Sequence, residues 1–554
     1  MTLRLTLVVR DMLVSYRVYG IAINQGGTAS RLFVLDRCIS VEDFFCYCYE
    51  HLQTVFWSVT CVGFRNGGYQ NMKPSIDEVK EYAKLGEYKI APVSIEILSD
   101  IKTPIEVLRI LKNQSDHCYL LESAVADQNW GRYTFLGYKP TLEITCVNGN
   151  MKIGERQFKT DNPSEEIRKL LADYKSVKVE GLPSFTGGLV GYFSYDYLKY
   201  SEPSLRLDAN DTENFNDVDL MLFDKVIAFD NVRQKIILIK NISLENCEEE
   251  YPKAEEELLA LADLIRHGEP KQEKKGRLLS EPKTLFNEEE YCAMVEKAKH
   301  HIFEGDIFQI VLSNRIEAEY EGSLLDTYRV LRTVNPSPYM FYFCGLDVEV
   351  AGASPETLVK LEDGVLHTFP LAGTRPRGKS EEEDKRLKAE LLADEKENAE
   401  HEMLVDLGRN DIGKISKFGT VKVESHKDVL FFSHVMHIGS TVRGEIRDDY
   451  DALSAVESIL PAGTLSGAPK IRACQLINDL EDNKRGIYGG AIGYIDFTGN
   501  LDTCIAIRIA YRKNGKVFVR SGAGIVADSV PKTEYKECVN KAAAVIQALR
   551  TEVE

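Results

Sequence analysis

The first 71 residues of this 554-residue chain contain no lysine, and the whole chain holds only two tryptophans. No apolar run approaches the roughly 20 residues that span a bilayer, so a membrane helix is not expected. No basic block is present to follow a phosphate backbone. With 68 basic against 86 acidic residues the net charge is −18, and nucleic acid is not an expected partner. Twelve cysteines form no CxxC pair, and only Cys46 and Cys48 are close together. That usage fits reduced thiols in a cytoplasmic protein better than a disulfide frame or a zinc site. What the chain does hold is a 44% apolar fraction, ample for one large fold or for two.

Residues 1–71 differ from the rest, with Cys38, Cys46, Cys48, Cys61 and Trp57 in a lysine-free stretch. Arg4 and Arg10 interrupt the N-terminal apolar run, against a secretory signal. The glycine pair Gly67–Gly68 stands shortly before Met72. Two glycine codons can spell a purine-rich ribosome-binding sequence, so translation is expected to start at Met72, with 1–71 a translated leader outside the fold. N-terminal sequencing of the native protein tests this.

From Met72 onward the pattern is mixed. Residues 75–85, 164–174, 251–267 and 287–303 read as helices, and 119–125, 131–140 and 141–154 as strands, the last with an Asn-Gly turn. Residues 220–240 read as a hairpin, and 504–512 and 516–528 as strands. The polar stretch 268–283 reads as a linker at which two lobes divide, an N-terminal region 72–270 and a C-terminal region 287–554. Strands in consecutive hairpins with helices between them argue for an α+β fold rather than a doubly wound parallel sheet.

The stretch 394–411 carries the main anomaly. Met403, Leu404 and Leu407 recur at helical spacing beside Glu397 and Glu400, which are one turn apart. Such carboxylates repel unless solvent screens them or a cation lies between them. A lone ExxE is more often a solvated face. A second pair, Glu534 and Glu537 with Lys541 one turn on, makes a metal site the competing reading.

PLAGTRPRG, AEHEMLVDLGRND, LPAGTLSGAPK, IAIR, SGAG and EYKECVNK occur in this order. Together they resemble the chorismate-utilising enzymes, most closely the anthranilate synthase branch, from Met72 to the C-terminus. The resemblance implies a two-sheet α/β sandwich with helices outside and a central cleft. It implies chorismate as substrate and Mg²⁺ as cofactor, with Glu400 and Glu537 as ligands and Glu397 and Glu534 supporting bound waters. Arg508 and Lys541 would hold substrate carboxylate, with Gly373, Thr464, Tyr488 and the N–H groups of an SGAG turn, Gly522, Ala523 and Gly524, as further contacts. Glu356 would be the general acid, which needs an apolar setting to stay protonated. His437, with Thr374 nearby in sequence role, would serve the elimination step.

In the implied reaction ammonia adds at ring C2 as the C4 hydroxyl leaves, and pyruvate is eliminated to give anthranilate. Isochorismate synthases carry a water-activating lysine where this chain has Gln309, and glutamine cannot act as a base. Aminodeoxychorismate synthases carry a lysine where this chain has Ala372. Aminodeoxychorismate synthesis and a non-catalytic tryptophan or chorismate sensor are the alternatives; the sensor is expected to lack an acid or a metal ligand, and Glu356, Glu400 and Glu537 are present. LLES (120–123) and NPSPYMF (335–341) resemble the tryptophan-binding elements of feedback-inhibited relatives, which implies Glu122, Ser123, Arg132, Pro338, Tyr339 and Met340 as an inhibitor site. No GxCxG elbow of a fused glutaminase is present, so a separate glutamine amidotransferase subunit is the implied ammonia source.

Overall fold

The computed structural model describes residues 7–9, 12–14, 72–124, 131–345, 347–431 and 435–553. It divides into two units, 1–73 with 95–97, and the remainder. In the first, Leu7–Val9 and Met12–Val14 form a short antiparallel ladder; the expectation of a leader otherwise falls outside the described residues.

The second unit is built on two sheets of antiparallel ladders. One runs from Leu371–Pro376 through Val435–Glu445, Val365–Thr368, Thr357–Glu362, Leu501–Ile505 and Ala491–Asp496 to Gly188–Phe193, Val218–Phe223 and Leu142–Val147. The other runs from Gln309–Glu321 through Lys516–Ile525, Ile509–Lys513, Glu349–Ser354 and Tyr339–Cys344 to Cys118–Glu122, Tyr133–Tyr138, Lys225–Asp230 and Lys235–Ser243. Both sheets take strands from 72–270 and from 287–554. The stretch 268–283 therefore joins parts of one unit and does not separate two lobes, because neither half has a complete sheet to bury on its own.

Aromatic side chains fill the space between the sheets. Tyr119, Phe135, Phe341 and Phe343 from one meet Val190, Tyr192, Ile492 and Tyr494 from the other. Helices cover the outer faces. Ala452–Ile459, with Val405 and Ile412 of the acidic helix Glu395–Gly413, packs on the first sheet. Glu288–Phe303, Lys470–Glu481 and the C-terminal helix Pro531–Arg550 pack on the second through Tyr291, Val295, Ala473, Leu476 and Cys538. The α+β class expected from the hairpin pattern and the two-sheet sandwich implied by the resemblance are the fold observed. Local signals set the helix ends: Ser75 and Asn287 form capping boxes with Glu78 and Glu290, and Asp394 accepts from the N–H groups of Lys396 and Glu397.

The chain changes sheets at short bends, which the sequence pattern hid. Residues 220–240 are not one hairpin: Val218–Phe223 belongs to the first sheet, and the hairpin proper is Lys225–Asp230 with Lys235–Ser243. Residues 504–512 are not one strand either, since Leu501–Ile505 and Ile509–Lys513 lie in different sheets. Ser354 and Thr357 are divided in the same way, leaving Pro355 and Glu356 in the bend. Period-two alternation marks a strand but not the sheet it joins, and strands buried on both faces show no alternation. The two bends at 355–356 and 506–508 lie side by side. The Ile505 N–H donates to the Glu356 carbonyl at 2.9 Å, and the Ala353 N–H to the Arg508 carbonyl at 3.2 Å.

Candidate active site at the sheet bends

Glu356 and Arg508 are carried into the seam by these neighbouring bends. Arg508 holds a left-handed backbone, φ +54°, a conformation costly for a side-chain-bearing residue and one that occurs where surrounding structure enforces it. Burial pushes the Glu356 carboxyl up to about 7, opposed by the Thr464 hydroxyl, Lys541 and Arg508. Thr464 Oγ1 donates to Glu356 Oε1 at 2.9 Å. Burial pulls the Arg508 guanidinium down, opposed by Tyr488, Glu356 and Glu537.

His437 lies on the strand Val435–Glu445. Its Nδ1 is 2.8 Å from the Gly373 carbonyl and 3.2 Å from Thr374 Oγ1. A carbonyl only accepts, so Nδ1 carries the proton and Nε2 keeps a lone pair. Burial lowers the ring's pKa, with the Gly373 bond raising it and Arg508 lowering it further, which favours the neutral form. Gly373 takes φ +67°, and a Cβ there would come within 3.0 Å of Leu391 and 3.2 Å of Glu397. Glycine is what permits this tight bend.

SGAG is the end of the strand Lys516–Ile525 and not a turn, but it still presents donors. Gly522 lies opposite Ser313, whose N–H goes instead to Glu481 at 2.7 Å. That pair is thus a non-hydrogen-bonded one, so the N–H and C=O of Gly522 point away from the ladder, as do those of Gly524 two residues on. Ala523 points its N–H into the ladder. Lys541 Nζ donates to the Gly522 carbonyl at 3.2 Å. Side chains at Gly522 or Gly524 would crowd the Tyr488 hydroxyl, 3.2 Å away, or the Gln309 amide, 2.9 Å away. The Gln309 amide also acts on the Glu400 carboxyl, opposing the rise in its pKa.

The four glutamates share their surroundings. Burial raises the Glu400 carboxyl, with Glu397 adding to this and Gln309, Lys396 and Lys541 opposing. Burial likewise raises Glu534, with Ser529, Lys396 and Lys541 opposing and Glu537 adding. Lys396 and Lys541 thus act on both helices' acids. Lys541 pairs with Glu537 at 2.6 Å and Arg375 with Glu397 at 3.3 Å. Among the described residues no group of three His, Cys, Asp or Glu side chains stands close enough to hold a metal ion. In kind the donors fit the Mg²⁺ that the resemblance implies: all are oxygen donors, and Glu400 and Glu534 are disfavoured as anions by burial and by an acid one turn away.

The stretches around Glu122 and Pro338 are also brought together. Met340 lies opposite Glu122 on paired strands, and the Ala124 N–H donates to the Ser337 carbonyl at 3.0 Å. The Glu122 carboxylate is engaged within the fold, by the Tyr328 hydroxyl and by Arg332 at 2.6 Å. Arg132 grips Asp230 at 2.9 Å. Tyr339 donates to Asp502 at 2.8 Å and lies 3.0 Å from Thr357 Oγ1, the neighbour of Glu356. Sequence reading missed Arg332, Asp502, Lys396 and the buried ions Glu481, Arg485 and Arg520. None of them stood in a pattern that marks a partner in the sequence.

The chain belongs to the chorismate binding enzyme family, with the match covering residues 73–547. It is similar to the anthranilate synthase component 1 of Acetivibrio thermocellus, 44% identical over 488 residues, 86% of this chain and 98% of that one. The component 1 of Aquifex aeolicus is 43% identical over 494 residues, again 86% of this chain and 98% of its own. The crystal structure of anthranilate synthase component I from Streptococcus pneumoniae aligns with a TM-score of 0.69 at 37% identity, over 81% of this chain and 98% of that chain. The Escherichia coli isochorismate synthase MenF, at 18% identity and TM-score 0.62, shares the fold.

Proposed function

We propose that this chain converts chorismate and ammonia to anthranilate and pyruvate, the first committed step of tryptophan synthesis, in the cytoplasm. The carrying observation is Gln309. A residue unable to activate water acts on the Glu400 carboxyl, holding its pKa down, and its amide stands 2.9 Å from where a side chain on Gly524 would begin. Position 309 thus offers no base to activate water, whereas ammonia brings its own lone pair.

Arg508 and Lys541 hold the substrate's carboxylates, aided by the N–H groups of Gly522 and Gly524. Glu356, protonated near neutrality, gives its proton to the departing C4 hydroxyl. His437, with Nδ1 bonded to Gly373, can take at Nε2 the ring proton lost when pyruvate leaves and the ring becomes aromatic. Glu400 and Glu537 would hold Mg²⁺, supported by Glu397 and Glu534; the ion supplies positive charge for a carboxylate of the substrate. Ammonia would come from a separate glutamine amidotransferase subunit. Tryptophan would inhibit from the elements around Glu122, Ser123, Arg132, Pro338, Tyr339 and Met340. Product identification by chromatography after incubation with chorismate, Mg²⁺ and ammonium tests the reading; isochorismate or aminodeoxychorismate as the product would overturn it.

A further inference from the structure

Directly behind the site lies a buried cluster of three ions. The Glu481 carboxylate, 2% exposed, ends the helix Lys470–Glu481 and accepts from Arg485 Nη2 at 2.6 Å and Nε at 3.0 Å. It also accepts from Arg520 Nη2 at 2.8 Å and from the Ser313 N–H and hydroxyl at 2.7 and 3.0 Å. Arg485 has two further donations. Its Nη1 goes to the Leu465 carbonyl at 2.6 Å and its Nη2 to the Val311 carbonyl at 2.7 Å. Its guanidinium lies over Tyr195, 4.6 Å from the ring centre, and 5.9 Å from that of Tyr488.

Each of these contacts leads to a wall of the site. Leu465 follows Thr464, the donor to Glu356. Val311 lies two residues from Gln309 and opposite Gly524. Ser313 lies opposite Gly522, and Tyr488 borders Gly522. The planar fork makes four donations here, two to the carboxylate and one to each carbonyl, whereas a lysine ammonium has three donors on one atom and cannot spread them over the same span. We propose that Arg485 is a positioning residue for the reaction, fixing the Thr464 loop and the Gln309 strand to one buried anchor so that the Thr464 hydroxyl stays on Glu356. This rests on the functional reading above.

The test compares Arg485→Lys, Thr464→Val and the double variant with wild type, scoring kcat, KM and the pH profile per folded molecule. Glu356 faces Thr464, Arg508 from the neighbouring bend and Lys541 from the C-terminal helix, and Asp411 lines the same cavity. Of these, only the Thr464 donation depends on Arg485. In Arg485→Lys, kcat is expected to fall about 10- to 100-fold, as for a misplaced reacting group, with KM little changed. The basic limb is expected to move to higher pH, since a donor that favours the carboxylate has been loosened, and Thr464→Val is expected to move it the same way. The double variant is expected to be little worse than the poorer single one. Should Arg485→Lys not fold, Ser313→Ala, which removes one donor to Glu481 and the acceptor of Arg520 Nε, is expected to move kcat and the limb in the same sense by a smaller factor. Wild-type kcat and limb in the folded variant, or additive losses, would overturn the inference. A wild-type protein that makes no anthranilate would instead fail the functional reading.

Discussion

Thr464 Oγ1 donates to Glu356 Oε1 across 2.9 Å, joining a loop before the helix Lys470–Glu481 to a bend between the two sheets. The acid is thereby held in a setting where burial keeps it protonated up to about pH 7.

Turnover is accordingly expected to be steady below pH 7 and to decline above it, as the proton donor is lost. Glu356→Gln is expected to lower kcat by roughly 10²- to 10⁴-fold and to abolish that limb. Its stability behaves oppositely. A carboxyl whose folded pKa is raised favours the fold at low pH and costs stability as pH climbs from its unfolded value through 7. Glu356→Gln is therefore expected to melt higher than wild type at pH 8 but not at pH 4, by thermal unfolding.

Gly373 is expected to tolerate no side chain. Alanine there meets a left-handed backbone, about 1–2 kcal/mol of strain, and presses on Leu391 and Glu397. Because the His437 ring is oriented by the Gly373 carbonyl, Gly373→Ala is expected to lower kcat more than it raises KM.

Gln309→Lys replaces an amide by a base next to Glu400. Anthranilate formation is expected to fall at least about tenfold, with isochorismate appearing in the product chromatogram. Unchanged anthranilate output would remove Gln309 as a determinant of nucleophile choice.

Glu400→Gln and Glu537→Gln are each expected to raise the Mg²⁺ concentration needed for half-maximal activity by at least about 10- to 100-fold, the scale of losing even an outer-shell partner of a metal ligand. Titration of activity against Mg²⁺ checks this. Retention of full activity in EDTA would contradict the metal assignment.

Ser123→Phe and Pro338→Ser are expected to leave turnover near wild type while abolishing inhibition by tryptophan. Tyr339, bonded to Asp502 and Thr357, is placed to carry such an effect toward Glu356, so Tyr339→Phe is expected to weaken inhibition. Full sensitivity in all three would place the inhibitor elsewhere.

The helices were legible in sequence because caps and apolar spacing act locally: Asn287 and Glu290 announce a helix start without reference to anything distant. That Lys396 and Lys541 act on both Glu400 and Glu534 has no local sign in the sequence, since 134 positions separate the two glutamates. The sheet changes at Glu356 and Arg508 were not legible, because a buried strand looks the same in either sheet. Arg485 was passed over because a lone arginine in sequence gives no sign that Glu481, Leu465 and Val311 will surround it. Arg132 and Glu122 drew attention from the motifs they stand in, yet their charges are answered by Asp230 and Arg332.

The most direct test of the account is anthranilate fluorescence from the purified chain alone with chorismate and Mg²⁺, supplied in parallel with ammonium or with glutamine. The account predicts anthranilate with ammonium and none with glutamine until an amidotransferase subunit is added. Formation of isochorismate in place of anthranilate, or glutamine-driven turnover by this chain alone, would contradict it.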